Sequence, residues 1–187
     1  MQNPSEKKFA TLAIHAGESR DPSTNAHSTP IYQTANFSFE TAEEMARAIA
    51  EPFDSFFYSR TRNPTTAALE NKLAVLEGMD KTIVTASGMA AVSIATMIAA
   101  QAGDHVLVGA DLFIISRMFF ENDCKAMGIE VSFVDTRDMD EVRRAVRPNT
   151  KAIFLESVSN PRIYLADLTA FRTLADENGL LIIVDNT

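Results

Sequence analysis

From residue 81 onward, short apolar runs alternate with segments of helix-forming residues, and this alternation limits the possible folds more than any other feature. Strands that alternate with helices along a chain form a parallel sheet with helices packed on both faces. The sequence therefore predicts an α/β fold with a mostly parallel sheet. The predicted strands are residues 81–85, 105–109, 129–134, 151–155 and 180–184. The predicted helices are residues 89–102 and 116–127, with two more beginning after Asp138 and Asp167.

The first part of the chain has a different character. Residues 1 to about 30 are rich in Ser, Thr, Asn and Pro, which predicts an extended N-terminal arm that is ordered only by docking. Residues 31–39 have the composition of a strand, and a capping box that begins at Thr41 predicts a short helix. We therefore expect residues 1–52 to form an arm and a short helix, and residues 53–187 to form an incomplete α/β domain.

A longer helix is predicted between these regions. Asn63 is a favourable N-cap, Pro64 suits the first helical position, and Gly78 suits the end of the helix. Tyr58 and Arg60 would then lie in the loop that leads into the helix. Taken alone, Arg60 is interpreted as a solvated charge and Tyr58 as a half-buried ring.

The overall charge and the cysteine content restrict the kinds of partner. The formal net charge is −8, which argues against binding to nucleic acid or to an anionic membrane surface. Cys124 is the only cysteine, so an intramolecular disulfide is impossible, as suits a reducing cytoplasm. The N-terminal residues lack the apolar core of a secretory signal, and residues 89–102 are too few to span a bilayer. We predict a cytoplasmic location and no metal site.

The turn formed by Ala86, Ser87 and Gly88 is the first candidate ligand site. It is predicted to join a strand to the N-terminus of a helix, where unpaired backbone N–H groups and the helix dipole favour an anion such as a phosphate. The alternative is a plain turn in which Gly88 only permits a close approach. This motif is common in α/β proteins and does not decide between the two.

The carboxyl ends of the other predicted strands carry further polar and aromatic residues, and parallel strands bring these ends to one edge of the sheet. A flat, phosphorylated, nitrogen-containing ring such as pyridoxal 5'-phosphate would suit that edge. Phe113 could stack on the ring, Asp185 could pair with its protonated nitrogen, and Asn160 could contact a ring oxygen. The candidate residues are Ser87, Gly88, Asp111, Phe113, Asp135, 156–160 and Asp185.

Simpler interpretations of these residues remain open. Asp185 could cap the turn that follows its strand, and Asn160 followed by Pro161 could be ordinary turn chemistry. A nicotinamide-binding Rossmann site is not predicted, because no G-x-G-x-x-G motif follows any predicted strand.

Several motifs along the chain resemble the Cys/Met-metabolism enzymes that depend on pyridoxal phosphate. This family includes cystathionine γ-synthase, cystathionine lyases, methionine γ-lyase and the homoserine-ester sulfhydrylases, and its large domain has the fold of type I pyridoxal-phosphate enzymes. The motifs are Tyr58-Ser59-Arg60, Asn63-Pro64-Thr65, Leu69-Glu70, Leu76-Glu77-Gly78, Ser87-Gly88-Met89-Ala90-Ala91, Glu156-Ser157, Asn160-Pro161 and Val184-Asp185-Asn186-Thr187.

The resemblance implies a role for each cofactor-binding candidate. Backbone N–H groups of Gly88 and Met89 would bind the phosphate of pyridoxal 5'-phosphate, and the residue at position 113 would stack on the ring. Asn160 would meet the ring hydroxyl and Asp185 the pyridine nitrogen. By the same resemblance, Tyr58 and Arg60 would reach the phosphate of the neighbouring subunit's cofactor. The expected substrate is a small amino acid, and the expected assembly is a homodimer or homotetramer with shared active sites.

The chain departs from the family's usual pattern near position 113. Phe113 stands where a tyrosine is usual, so a hydroxyl able to move a proton is missing. Ile114 and Ile115 stand where glycines are usual and cannot adopt backbone angles reserved for glycine. Val158 stands where a proline is common.

A larger departure concerns the covalent chemistry. The resemblance implies that the lysine that binds the cofactor, and the C-terminal domain, lie beyond Thr187, so no catalytic residue is assigned within this chain. One hypothesis is a truncated transsulfuration-type enzyme that acts at the β or γ carbon of sulfur amino acids or homoserine esters. A second is a non-catalytic homologue that acts as a binding or oligomerisation subunit. A third is an unrelated α/β protein that binds a phosphate ligand.

Overall fold

The computed structural model describes residues 8–187 of the chain. The described residues form two compact units, one that ends at Val84 and a second, Thr85–Thr187. The domain boundary expected near residue 52 stays a prediction. Among the described residues, no helix combines the length and the apolar character needed to cross a bilayer.

The described part of the first unit, from residue 8 onward, contains three helices: α1 (Phe9–His15), α2 (Ala42–Ala50) and α3 (Pro64–Glu77). Helix α1 lies inside the region expected to be an extended arm, so part of that region is helical. Helix α1 contacts α3, and Gly17 follows it with a φ of +73°. A Cβ atom on Gly17 would lie only 2.4 Å from the carbonyl oxygen of Ala68, so this close approach to α3 requires glycine.

The ends of α2 and α3 are confirmed by their caps. The Thr41 hydroxyl accepts a hydrogen bond from the backbone N–H of Glu44. The Asn63 side chain accepts one from Thr65 N–H at 2.8 Å, and α3 ends at Gly78 in the left-handed region. These side chains satisfy N–H groups that the helices themselves leave unpaired.

Two predicted strands are not formed. Within 31–39, the described backbone forms only an isolated bridge, between Asn36 and Tyr58. The prediction of a strand at 81–85 is wrong, because no other segment within residues 8–187 pairs with it in a ladder. Instead, the N–H of Val84 donates to a Glu70 carboxylate oxygen at 3.1 Å. The apolar composition of this segment predicted a strand, but a strand also needs a partner.

The second unit is built on a four-stranded parallel sheet, which confirms the predicted fold class. The strand order is β2-β1-β3-β4, so β1 and β3 are central. Every connection between consecutive parallel strands contains a helix, as right-handed crossovers require. The strands are β1 (His105–Gly109), β2 (Glu130–Val134), β3 (Thr150–Glu156) and β4 (Leu181–Asp185).

Apolar residues pack on both faces of the sheet, because side chains alternate along each strand. Val106, Val108 and Phe154 belong to one buried cluster, and Leu107 and Ile153 belong to the other. Helical residues complete each cluster and cover the corresponding face. The first cluster includes Val92, Phe119 and Phe120, and the second includes Val142, Phe171 and Leu174.

The helices of the second unit are α4 (Gly88–Ala99), α5 (Ile114–Met118), α6 (Met139–Ala145) and α7 (Leu168–Asn178). Asp138 and Asp167 cap α6 and α7 as predicted, by accepting backbone N–H groups of the first turn. Helix α5 begins two residues before the predicted start and continues as a π-helical segment, Phe119–Cys124. The sequence pattern gave no signal for that change of helix type.

Candidate functional site

A cavity of about 440 Å³ lies where the carboxyl ends of the central strands meet. The chain leaves β1 toward β2 on one side, whereas β3 and β4 lie on the other side, so the sheet has a switch point between β1 and β3. Ligands of open α/β sheets bind at such a point. The cavity is lined by Ser87, Gly88, Met89, Val92, Phe113, Ser116, Glu156, Val158, Asn160, Asp185 and Thr187.

The N-terminus of α4 forms one wall of this cavity. The Ser87 hydroxyl accepts the N–H of Ala90 at 3.1 Å, which leaves the N–H groups of Gly88 and Met89 without an acceptor among residues 8–187. A Cβ atom added to Gly88 would meet nothing within 4 Å, so the space beside these donors is open. The wall therefore offers backbone donors and the positive end of a helix dipole to an anion.

Phe113 lies between β1 and α5, and the residue is 43% exposed. Its backbone N–H donates to a carboxylate oxygen of Glu156 at 2.8 Å. The difficulty expected from Ile114 and Ile115 does not arise, since both residues form the first turn of α5. Within the described part of the chain, positive φ angles outside glycine occur only at Asn25 and Ile163.

Glu156 ends β3 and is buried, with 8% of its surface exposed. Its second carboxylate oxygen accepts the N–H of Asn160 at 3.0 Å. One carboxylate therefore accepts hydrogen bonds from both the loop after β1 and the loop after β3. The side-chain amide of Asn160 has no hydrogen-bond partner among residues 8–187, so it is available to a ligand.

Asp185 is the last residue of β4, and its position pairs with Glu156 in the sheet. One of its carboxylate oxygens, Oδ1, accepts the Thr187 N–H at 3.1 Å and the Thr187 hydroxyl at 2.5 Å. The other oxygen, Oδ2, has no donor among residues 8–187. The carboxylate thus caps the turn after its strand, as the simpler interpretation expected, and still presents a free oxygen.

The remaining candidates from the strand ends do not line the cavity. Asp111 forms an ion pair with Arg162 at 3.2 Å. Asp135 is paired with Arg137 at 2.6 Å, and the hydrogen bonds from Arg137 lower the pKa of Asp135 to about 2. Both carboxylates are used within the protein, which leaves Asp185 as the carboxylate with a free oxygen in the cavity.

Tyr58 and Arg60 belong to the first unit. Tyr58 forms the bridge with Asn36, and the Arg60 guanidinium carbon lies 5.0 Å from the centre of the Tyr58 ring. Both residues lie in the loop before α3, as predicted. Their reach to a neighbouring subunit stays a prediction.

Ser116 and Val92 line the cavity but were not candidates from the sequence, and Glu156 was a candidate without an assigned role. Glu156 ends an otherwise apolar strand, and a carboxylate at that position was a usable signal, because buried charges need partners. Ser116 is buried, and its hydroxyl lies 3.6 Å from the sulfur of Met89. Val92 gives no signal beyond that of a core residue of α4.

The second unit contains two lysines, Lys125 and Lys151, and neither lines the cavity. Lys125 lines a separate cavity with Gly128 and Glu130, and Lys151 is exposed on β3. The cavity therefore presents backbone donors, an aromatic ring, an amide and carboxylates, but no amine from this unit.

Comparison with known families agrees with this geometry. Residues 10–187 match the family model described as "Cys/Met metabolism PLP-dependent enzyme". The chain belongs to this family. Members of the Cys/Met metabolism family depend on pyridoxal 5'-phosphate (PLP), which confirms the predicted family and its cofactor.

Curated relatives carry several activities. The chain is 41% identical to L-methionine gamma-lyase of Porphyromonas gingivalis over 180 residues, which cover 96% of this chain and 45% of the relative. It is 39% identical to O-acetyl-L-homoserine sulfhydrylase of Corynebacterium glutamicum, covering 99% of this chain and 43% of the relative. It is also 39% identical to cystathionine gamma-lyase of Bacillus subtilis, and the match covers 96% of this chain and 45% of the relative.

Solved structures of the family have the same fold. A putative O-acetylhomoserine (thiol)-lyase from Campylobacter jejuni matches with a TM-score of 0.90 and 34% identity, over 97% of this chain and 44% of that one. That structure contains N'-pyridoxyl-lysine-5'-monophosphate at its position 205. A cystathionine gamma-lyase from Lactobacillus plantarum, complexed with L-serine, matches with a TM-score of 0.82 and 37% identity. The match covers 97% of this chain and 45% of that one. The chain thus spans about half the length of the relatives it matches.

Proposed function

We propose that the cavity of the second unit binds PLP for an enzyme that performs elimination or replacement at the β or γ carbon of sulfur amino acids or homoserine esters. The observation that carries this proposal is that five residues from distant parts of the sequence line one cavity of about 440 Å³. Each of the five presents a group that suits one part of the cofactor. These residues are Gly88, Met89, Phe113, Asn160 and Asp185.

PLP, when bound, supplies an electron sink for carbanions formed next to the substrate nitrogen. The N–H groups of Gly88 and Met89 donate to its phosphate at the positive end of α4. Phe113 presents a half-exposed ring for stacking, and Asn160 presents a free amide for the ring hydroxyl. The free oxygen of Asp185 accepts a hydrogen bond from the protonated ring nitrogen and keeps the ring cationic.

The lysine that anchors the cofactor is proposed to lie outside this chain. One observation supports this: neither Lys125 nor Lys151, the two lysines of the second unit, lines the cavity. We assign non-covalent binding to this chain and covalent chemistry to the whole protein.

A non-catalytic homologue is the second candidate, and Phe113 is the observation that favours it. A phenyl ring stacks as well as a phenol but can neither donate nor accept a proton. A chain that binds the cofactor without this hydroxyl could serve as a binding or oligomerisation subunit. The two candidates share the same cavity and differ in whether a proton moves at position 113.

The assembly and location are also proposals. We expect a homodimer or homotetramer in which Tyr58 and Arg60 serve the cavity of a neighbouring subunit. The cavity itself supports this expectation, because it is lined by the carboxylates of Glu156 and Asp185 but by no basic side chain. A phosphate dianion there would gain from a cation supplied by another subunit. A cytoplasmic location would suit an amino-acid enzyme with a single cysteine.

Titration of the 187-residue chain with pyridoxine 5'-phosphate tests the binding proposal without covalent chemistry. Backbone amide resonances of Gly88 and Met89 should shift together with those of Phe113 and Asn160, because one small molecule would contact all four. Pyridoxine without phosphate should bind more weakly, because the donors of α4 would lose their partner. Unchanged resonances at millimolar ligand, or shifts confined to other parts of the chain, would reject the proposal.

The two candidate functions are separated with a longer chain that contains the lysine. Turnover of L-methionine or an O-acyl homoserine by that protein supports the enzyme, and binding of PLP without turnover supports the non-catalytic homologue. Phe113→Tyr in the longer chain is the matched variant. A gain of activity with this variant would identify the missing hydroxyl as the cause of weak catalysis.

A further inference from the structure

We propose that Glu156 is a positioning residue that fixes the stacking ring at Phe113 relative to the amide at Asn160. This inference rests on the proposed function, since it concerns how the cofactor site is held in shape. Glu156 reaches the two loops that follow the central strands β1 and β3, which flank the switch point of the sheet. No other described side chain accepts a hydrogen bond from both loops.

The contacts of Glu156 are divided evenly between the two loops. Its oxygen Oε1 accepts the Phe113 N–H at 2.8 Å, and Oε2 accepts the Asn160 N–H at 3.0 Å. Hydrogen bonds from N–H groups to an ionised carboxylate are roughly twice as strong as neutral ones. Because both donors are backbone groups, the carboxylate fixes the backbone of each loop and not only a side chain.

The burial of Glu156 supports this role. The residue is 8% exposed, and among residues 8–187 it forms no ion pair with a basic side chain. A buried carboxylate without a cation is stabilised only by its hydrogen bonds, so the two N–H groups account for its presence at the end of β3. An apolar residue there would match the rest of the strand but would leave both N–H groups unpaired.

A second link joins the same two loops at the surface. Asp111, two residues before Phe113, forms an ion pair at 3.2 Å with Arg162, two residues after Asn160. The side chain of Arg162 is 60% exposed, so this pair is screened by solvent and weaker than the buried link. The two loops are therefore held by a buried carboxylate and an outer ion pair, and the cavity lies beside the buried one.

Glu156→Gln is the decisive variant, because glutamine has the same shape but one of its two polar ends is a donor. At least one of the two N–H groups then faces another donor and loses its bond. Amide hydrogen exchange at Phe113 or Asn160 should become about tenfold faster, while exchange in the core strands stays unchanged. This measurement needs no ligand and does not depend on the proposed function.

Glu141→Gln is the matched control. Glu141 is partly buried and, like Glu156, accepts a backbone N–H at the sheet edge, from Asp135 at 3.3 Å, but it does not line the cavity. Its replacement should leave exchange at Phe113 and Asn160 unchanged. A general increase in exchange in the Glu156→Gln variant, including the core of β1 and β3, would show a merely structural role and overturn the proposal.

The affinity for pyridoxine 5'-phosphate tests the consequence for binding. The Glu156→Gln variant should bind about fivefold more weakly than the original chain, because the site is no longer preorganised. The Glu141→Gln variant should bind as the original chain does. If the original chain does not bind the ligand, the proposed function fails; if it binds and Glu156→Gln changes neither affinity nor exchange, the positioning role fails.

Discussion

The two ends of the same parallel sheet differ in whether their polar groups have hydrogen-bond partners within the protein. At the amino end, both ring nitrogens of His105 have partners, at 2.8 Å from the Thr150 hydroxyl and 3.0 Å from the Ser132 hydroxyl. At the carboxyl end, the N–H groups of Gly88 and Met89 and one oxygen of Asp185 have no partner among residues 8–187.

This difference indicates that the polar groups at the amino end contribute to stability and those at the carboxyl end to ligand binding. His105 is completely buried, so its ring must be satisfied within the protein. The groups at the carboxyl end line an open cavity, where water or a ligand can satisfy them. Replacement of His105 should therefore change the free energy of unfolding, and replacement of the unpaired polar groups that line the cavity should change affinity.

The largest effect is expected from His105→Ala. The change removes one buried and one partly buried hydrogen bond and leaves a cavity, so the free energy of unfolding should fall by about 3 kcal/mol. Urea denaturation measures it. Lys151→Ala, at an exposed position of β3, is the control and should change stability by less than about 0.5 kcal/mol. A loss below about 1 kcal/mol for His105→Ala would show that the amino end is not a stabilising network.

Asp185→Asn should produce the next largest effect, on affinity. Asparagine keeps an acceptor for Thr187 but lacks the charge that holds a cationic ring nitrogen. The affinity for PLP should fall by about 2 kcal/mol, with little change in the unfolding midpoint. Asp167→Asn is the matched control, since asparagine caps α7 equally well and Asp167 does not line the cavity. Calorimetric titration that gives equal affinities for both variants would argue against a contact with the ring nitrogen.

The pH dependence of stability should follow His105. Burial lowers the pKa of His105 from its ordinary value of 6.5, and the nearby Arg147 charge lowers it further. Below pH 6.5 the unfolded chain binds a proton that the folded chain does not, so stability falls as pH falls toward the lowered pKa. The slope from this residue is at most about 1.4 kcal/mol per pH unit. Urea denaturation between pH 7 and pH 5 should show this component, and it should be absent in His105→Ala.

Many of the structural elements that form the two ends of the sheet could be predicted from the sequence, because strands and helix caps depend on local sequence patterns. The strand at 105–109 was predicted with its observed bounds, and Asp138 and Asp167 were predicted as caps. An apolar run followed by a glycine, or an Asp before an amphipathic segment, determines local structure without reference to distant residues. The convergence of Phe113, Asn160 and Asp185 on one cavity followed from the parallel sheet. Gly88 reaches the same cavity from the N-terminus of α4, without the strand predicted before it.

What the sequence could not predict depends on distant partners. The segment at 81–85 has the composition of a strand but no described neighbour. Glu156 accepts hydrogen bonds from Phe113, which is 43 residues away in the sequence, and from Asn160, which is 4 residues away. Only the fold brings the three residues together. The short helix α1 in the polar arm is another case, since its packing against α3 requires the close approach at Gly17.

A smaller effect is expected at Ile163, in the loop at the carboxyl end. Its φ of +56° is unfavourable for a β-branched residue, and the residue is 74% exposed, so little packing would be lost on replacement. Ile163→Gly should raise the free energy of unfolding by about 1 kcal/mol. Ile114→Gly, at the start of α5, should lower it by a similar amount. Destabilisation by Ile163→Gly would mean that the side chain contributes more than its backbone costs.

The smallest effect should come from Gly88→Pro, which removes one N–H donor without disturbing the helix. Proline suits the first helical position, and Ser87 already has the extended backbone that a following proline requires, with φ −159° and ψ 160°. Affinity for pyridoxine 5'-phosphate should fall about threefold, as expected for the loss of one hydrogen bond. Gly88→Ala keeps the donor, and the unoccupied space around position 88 accommodates its methyl group, so it should bind more tightly than the proline variant. Equal affinities for the two variants would show that the phosphate does not use this N–H, and that the open donors at the carboxyl end of the sheet are satisfied by water alone.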